Sequence, residues 1–104
     1  MVDFRQFAAA VFTVLLTSSA ASASAELAKS KNCVACHHAE RKMIGPAYKA
    51  MAERYAKDDS AIKLLSEKVV KGGVGNWGPM PMPPQPAVSP EEAEVLVKWI
   101  LSLE

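Results

Sequence analysis

The chain has 104 residues, and its 12 Lys and Arg against 11 Asp and Glu give a net charge of +1. This length allows one domain at most, and the near-neutral charge argues against a nucleic-acid-binding protein, which would carry a basic excess. Half of the residues are hydrophobic, so the composition also argues against an intrinsically disordered chain.

Residues 1–25 have the pattern of a secretory signal peptide. A basic residue precedes a short apolar run over residues 7–16, and small residues follow. The run is well short of the ~20 apolar residues that a membrane-spanning helix needs. We predict cleavage after Ala25, with cleavage after Ala23 as the alternative, and hence an exported domain over residues 26–104 with no transmembrane segment.

The exported part is predicted to consist of helices and loops, because no stretch alternates apolar and polar residues as a half-buried strand does. A first helix is predicted from Glu26 to about Cys33. Gly45-Pro46 opens a second helical segment, since Pro is well tolerated in a first turn. The apolar face of this second helix has i, i+3, i+4, i+7 spacing and consists of Tyr48, Met51, Ala52 and Tyr55.

Two further helices are predicted towards the C-terminus. N-cap candidates at residues 58–60 precede a third helix that Gly72-Gly73 ends. The fourth helix begins with Ser89 as N-cap, Pro90 at N1 and Glu92 at N3, which is a capping box. The apolar stripe of the third helix is Ile62, Leu65 and Val69, and that of the fourth is Ala93, Leu96, Val97, Trp99, Ile100 and Leu103.

Residues 72–90, between these two helices, hold four of the five Gly and six of the seven Pro. A loop of this length in so small a domain is usually functional. Its Pro residues restrict φ and remove backbone donors, so we expect a stiff, extended segment. Met80 and Met82 each lie between two Pro. Such a segment is suited to presenting a soft sulfur ligand at a fixed place.

Cys33-Val34-Ala35-Cys36-His37 is the C-x-x-C-H pattern of covalent haem attachment. One helical turn would place both thiols at one porphyrin edge and direct the imidazole of His37 at the iron. A disulfide between these two Cys would close too small a loop to stabilise the fold. A thioredoxin-like motif would need a βαβ context. A zinc site needs about four ligands, and only His37 and His38 accompany the two Cys. We therefore predict one haem c.

The ligand on the other face of the iron is open at this point. Met51 lies on the apolar face of the second helix, which favours a core position, and Met43 is close to His37 in sequence. The Pro-rich segment is the natural supplier, but spacing alone does not separate Met80 from Met82. The candidates are Met43, Met51, Met80, Met82 and His38.

Three motifs and a C-terminal helix resemble the short class I c-type cytochromes, in particular the small monohaem electron carriers of denitrifying and ammonia-oxidising bacteria. The stretches are residues 33–37 (CVACH), 42–48 (KMIGPAY), 77–84 (WGPMPMPP) and 97–101 (VKWIL). The resemblance covers essentially all of residues 26–104. It implies an all-α class I cytochrome c fold, with about four helices wrapped around one covalently bound haem.

The resemblance also implies roles for individual residues. Cys33 and Cys36 attach the haem, and His37 is the proximal ligand. The family's axial Met lies in a Pro-Met-Pro-Pro motif, which selects Met82 over Met80.

Two further residues take roles around these ligands. The carbonyl of Pro46 accepts the ring proton of the proximal histidine, and the indole of Trp77 reaches a haem propionate. The chain departs from the family pattern in having Gln85 and Pro86 after Pro-Pro, and Lys68 near the place where the third helix often carries an Arg.

The function that the resemblance implies is electron transfer in the periplasm. A His/Met-ligated iron has no open position for a substrate, so we expect a carrier and not an enzyme. We expect a monomer whose partners are redox proteins such as a periplasmic reductase, a terminal oxidase or a quinol-oxidising complex. The alternative, if Met82 is labile, is a haem-based gas-binding sensor or a small peroxidase-like enzyme.

The docking surface for these partners is predicted around the haem edge. Its apolar part would consist of Val34, Met43, Ile44, Pro79, Met80, Pro81, Pro83 and Pro84. Four lysines would rim it: Lys29, Lys31, Lys42 and Lys49.

Overall fold

Four helices and one small hairpin make up the part of the chain that the structure, a computed structural model, describes, residues 19–103. The helices are α1 (Ser19–Ser30), α2 (Tyr48–Arg54), α3 (Ala61–Lys71) and α4 (Pro90–Leu101). A 3-10 turn, Cys33–Ala35, lies between α1 and α2, and strands β1 (Gly73–Gly75) and β2 (Gly78–Met82) follow α3. The prediction of four helices is confirmed.

Helix α1 has different bounds from those predicted. It covers Ser19–Ser30, and therefore runs through the predicted cleavage site at Ala25, because the Ala-rich stretch before Glu26 has high helix propensity. It ends before the cysteines because Asn32 adopts the left-handed conformation, with φ 65°. The apolar run of the predicted signal peptide lies outside the described residues. No helix within residues 19–103 has the length and apolar character needed to cross a membrane.

Helices α2 and α3 form where their apolar faces predict them. Helix α2 begins at Tyr48, so Pro46 precedes the N-cap residue Ala47 and does not lie in the first turn. At the start of α3 the carboxylate of Asp58 accepts hydrogen bonds from the backbone N–H and the hydroxyl of Ser60. Helix α3 ends at Gly72, which has a φ of 81° that favours glycine.

Helix α4 begins with the predicted capping box. The Ser89 hydroxyl accepts from the Glu92 N–H, the Glu92 carboxylate accepts from the Ser89 N–H, and Pro90 occupies the first helical position. Its buried positions, Ala93, Leu96 and Val97, belong to the predicted apolar stripe.

The hairpin corrects the expectation of helices and loops alone. Strands β1 and β2 pair antiparallel, with Gly73 opposite Met82 and Gly75 opposite Gly78. Pro79 and Pro81 occupy alternate positions of β2, so neither removes the N–H of Met80 between them, and Pro is tolerated in such edge strands. The strands lack the polar and apolar alternation that would have predicted them.

The buried core is small and consists mainly of alanine. Ala28, Val88, Ala93 and Leu96 form one cluster, and Leu96 is the largest side chain that is fully buried among the described residues. Val69 and Trp99 pack against the cluster from α3 and α4. Leu96 and Val69 also line a cavity between the helices and the hairpin.

Candidate cofactor site

A cavity of about 440 Å³ occupies the space between the helices and the hairpin. Its walls are largely apolar, with side chains from α2, α3, α4 and both strands. The residues to which the sequence assigns a site role all line it: Cys33, Cys36, His37, Pro46, Trp77 and Met82. Met51 and Met80 also line it, whereas Met43 and His38 do not.

The two thiols come to one wall of the cavity through a 3-10 turn, a tighter element than the helical turn predicted. The N–H groups of Cys36 and His37 both donate to the carbonyl of Cys33, at 3.1 and 3.0 Å. Both cysteines are half-buried and are not joined in a disulfide. Burial raises the pKa of the Cys33 thiol above its ordinary value. Two free thiols and an imidazole therefore line the same cavity.

The imidazole of His37 is held by the segment that follows it. Its Nδ1 donates to the carbonyl oxygen of Pro46 over 2.7 Å, because a carbonyl can only accept, and this leaves Nε2 with the lone pair. Gly45 lies against the ring: a Cβ at this position would be 2.4 Å from Cε1 of His37. The N–H of Gly45 donates to the carbonyl of Cys36 over 2.8 Å, which ties this segment to the cysteine turn.

Tyr48 supports the imidazole from α2. The Tyr48 and His37 rings stack with centroids 5.7 Å apart and an interplanar angle of 23°. Trp99 of α4 contacts the Tyr48 ring edge-to-face, with centroids 5.5 Å apart. The Tyr48 hydroxyl is buried without a hydrogen-bond partner among residues 19–103, and burial raises its pKa to about 12. The aromatic pair thus connects the His37 ring to the core.

Met82 lies at the end of β2 that adjoins α3. It is half-buried, whereas Met80 is 62% exposed. Gly72 packs against the Met82 backbone so closely that a Cβ there would be 2.8 Å from the Met82 carbonyl oxygen. The N–H of Gln85 donates to the carbonyl of Val69 over 3.1 Å. The backbone around Met82 is therefore fixed to the C-terminal half of α3.

Trp77 lies at the other end of the hairpin, in the two-residue connection between the strands. The guanidinium of Arg54, the last residue of α2, lies 4.4 Å from the centroid of the Trp77 ring. It also donates a hydrogen bond to the carbonyl of Asn76. Sequence reasoning missed Arg54, because nothing local in the sequence connects it to a segment 22 residues away.

The residues of the cavity fit a covalently attached haem. Free thiols, an imidazole with an available Nε2 and a thioether face one apolar space, and Gly45 leaves room for the imidazole where a Cβ would intrude. The alanine core is small, and small domains usually need a further source of stability. A cofactor that adds buried apolar surface is therefore an expected part of this fold. Within residues 19–103, no three His, Cys, Asp or Glu side chains group as a metal site of their own.

Two lysines of the predicted rim have partners within the fold. Lys31 donates to the carbonyl of Ala87 over 2.8 Å and lies 3.5 Å from the Glu92 carboxylate, so it is bound to the start of α4. Lys49 pairs with Glu40 at 2.9 Å and lowers the pKa of that carboxyl. Lys42 lines the cavity and Lys29 is exposed. The apolar surface around them includes exposed Val34, Ile44 and Met80.

The model of the cytochrome c family matches residues 21–104 of this chain. The chain belongs to the cytochrome c family. It carries single electrons through a covalently attached haem c, and its two cysteines, Cys33 and Cys36, stand in the attachment motif. The cofactor and the electron-transfer function predicted from the sequence are thereby confirmed.

Individual relatives agree with this assignment. Cytochrome c-552 of Nitrosomonas europaea is 46% identical over 92 residues, which are 88% of this chain and 89% of that protein. Cytochrome c-551 of Pseudomonas aeruginosa is 50% identical over 76 residues, 73% of this chain and 72% of that protein.

Solved structures extend the agreement to the fold. The protein in the crystal structure of wild-type cytochrome c552 of N. europaea is 48% identical to this chain in sequence. The two structures superpose with a TM-score of 0.74 over 77% of this chain and 99% of the N. europaea chain. The class 1 cytochrome MtoD of Sideroxydans lithotrophicus is 31% identical, covers 79% of this chain and 94% of that one, and has a TM-score of 0.64. The predicted class I cytochrome c fold is confirmed.

Proposed function

We propose that this cytochrome holds its haem through Cys33 and Cys36, ligates the iron with His37 and Met82, and carries single electrons between periplasmic redox proteins. The observation that carries the proposal is the set of four side chains on one apolar cavity: two free thiols, one imidazole and one half-buried thioether. When bound, the haem supplies an iron that alternates between Fe(III) and Fe(II).

The protein's own residues set the properties of the two ligands. The Nδ1–H of His37 donates to Pro46, which fixes the tautomer, directs the lone pair of Nε2 to the cavity and increases the donor strength of the ring. The thioether of Met82 is a soft ligand that favours the ferrous state and so raises the reduction potential. The apolar walls disfavour the additional positive charge of the ferric state.

A carrier fits the cavity better than an enzyme or a gas sensor. Both alternatives need one open ligand position, and a peroxidase needs acid–base groups facing it. Met82 is fixed to α3 through the close approach of Gly72 and the hydrogen bond between Gln85 and Val69. A ligand on so constrained a backbone supports stable six-coordination, which leaves no position for peroxide or a gas.

Export to the periplasm is proposed from the N-terminal segment, together with cleavage after Ala25 or Ala23. The related carriers of N. europaea and P. aeruginosa align over the greater part of residues 26–104.

Partners would be a periplasmic reductase, a terminal oxidase or a quinol-oxidising complex. The docking surface would be the apolar area around Val34, Ile44 and Met80, where a weak, fast encounter suits electron transfer.

The experiment that separates the carrier from its alternatives is a redox titration of the purified holoprotein combined with exposure to carbon monoxide. We expect reversible one-electron behaviour and no change in the ferrous spectrum on adding carbon monoxide. Rapid carbon monoxide binding to the wild-type protein would contradict stable ligation by Met82 and favour the sensor or the peroxidase.

A further inference from the structure

The hairpin that carries Trp77 and Met82 is held differently at its two ends. At the Met82 end, Gly72 packs directly on the backbone and Gln85 bonds to Val69 of α3. At the other end, Asn76 and Trp77 lie between Gly75 and Gly78. These glycines have φ of 99° and 107°, and a Cβ on either would have no described atom within 4 Å apart from its own chain neighbours. The tip of the hairpin therefore has little packing of its own.

Arg54 supplies contacts that this tip otherwise lacks. Its guanidinium covers one face of the Trp77 ring at 4.4 Å and donates to the carbonyl of Asn76. A planar guanidinium stacks flat on an aromatic ring and donates from its edge at the same time, whereas a lysine ammonium has no flat face to stack. Trp77 also lines the cavity, so the residue that fixes the indole sets its orientation at the site.

We propose that Arg54 is a positioning residue for the haem site, which acts through Trp77 and places a positive charge beside the cavity rim. The proposal rests on the function proposed above. It has two consequences. The indole of Trp77 keeps one orientation only while Arg54 is stacked on it. The guanidinium charge disfavours the more positive ferric state, as any nearby cation does, so Arg54 raises the reduction potential.

The test uses Arg54→Gln and Arg54→Lys in the full holoprotein, with Lys57→Gln as the control. Lys57 is exposed and three residues from Arg54, so Lys57→Gln removes the same charge while the stack of Arg54 on Trp77 is kept. The two readouts are the reduction potential and the indole N–H resonance of Trp77 in the ferrous protein. The chain has two Trp, so the Trp99 resonance is an internal reference.

We expect Arg54→Gln to shift the Trp77 resonance, leave that of Trp99 in place, and lower the potential by more than Lys57→Gln does. Arg54→Lys should restore part of the potential but not the Trp77 resonance. If Arg54→Gln fails to fold, the Arg54→Lys variant still tests the effect on the Trp77 resonance. An unmoved Trp77 resonance, or a potential that changes no more than in Lys57→Gln, overturns the proposal.

The same samples keep this proposal separate from the assignment of the ligands. The weak red-edge absorption band of a methionine-ligated ferric haem reports on Met82 and not on Arg54. A wild-type protein without the band contradicts the proposed ligand. A band retained in Arg54→Gln, together with an unchanged potential, contradicts the role of Arg54 alone.

Discussion

Nδ1 of His37 donates a hydrogen bond to the carbonyl oxygen of Pro46 over 2.7 Å, across nine positions of the chain. The bond closes a loop in which Gly45 lies directly against the imidazole and bonds to the Cys36 carbonyl. The orientation of the ring is thereby set by backbone atoms, which vary little with side-chain substitution. The absence of a side chain at Gly45 is therefore a condition for the observed orientation of the proposed ligand.

Replacement of Gly45 by Ala should displace the His37 ring, because the new Cβ would lie 2.4 Å from Cε1. We expect the free energy of unfolding of the holoprotein to fall by about 1–3 kcal/mol, as for other overpacked sites. Denaturant unfolding measures this loss. Gly73→Ala is the control, because the nearest atoms to its Cβ would belong to the flexible side chain of Lys68, at 3.4 Å. Equal losses in the two variants would contradict the role of Gly45.

Replacement of Gly72 by Ala should disturb the other proposed ligand. The residue has a φ of 81°, and its Cβ would lie 2.8 Å from the Met82 carbonyl oxygen. We expect a loss of about 1–3 kcal/mol in unfolding free energy and a weaker red-edge band in the ferric spectrum. A destabilised variant with a full-strength band would mean that Gly72 serves the fold and not the ligand.

The capping box of α4 predicts a dependence of stability on pH. The hydrogen bond from the Ser89 N–H, with a smaller effect of Lys31, holds the pKa of Glu92 below its ordinary value in the folded protein. The stabilisation is therefore present above the pKa of the unfolded chain and is lost as the pH falls through the lower folded pKa.

Thermal unfolding of the wild type and Glu92→Gln between about pH 3 and pH 7 tests this linkage. The difference in stability between them should shrink on acidification, because the ionised carboxylate is the form that Ser89 stabilises. Glu91→Gln, at an exposed neighbouring position, is the control. A difference that is constant over the whole range would contradict the linkage.

The local signals in the sequence predicted more than the distant ones did. The capping box of α4 and the glycine that ends α3 depend on adjacent residues, and both are present. The hairpin was missed because Gly and Pro, not alternating side chains, form it. Arg54 was missed because its partner is distant in sequence. Spacing left Met80 and Met82 equivalent, and their different burial depends on tertiary packing.

Charge reversal at the surface should separate docking lysines from structural ones. Lys29→Glu with Lys42→Glu should slow electron transfer to a periplasmic redox partner and reduce its dependence on salt, because screening acts over about 8 Å at physiological ionic strength. Lys31→Glu should instead destabilise the fold by about 1 kcal/mol or more, because it removes the hydrogen bond to Ala87 and faces Glu92.

Stopped-flow transfer across a salt series, together with unfolding curves, measures both effects. If the double variant and the wild type had equal rates and equal salt slopes, docking would rest on the apolar surface alone. A fully stable Lys31→Glu protein would contradict the structural role of Lys31.

The optical spectrum of the ferric holoprotein, compared between wild type, Met82→Ala and Met80→Ala, tests the central claim most directly. Ligation by His37 and Met82 predicts the red-edge band in the wild type and in Met80→Ala. The band should be lost in Met82→Ala, which should also show a lower reduction potential and bind carbon monoxide when reduced. Loss of the band in Met80→Ala with retention in Met82→Ala would contradict the account and assign the ligand to Met80.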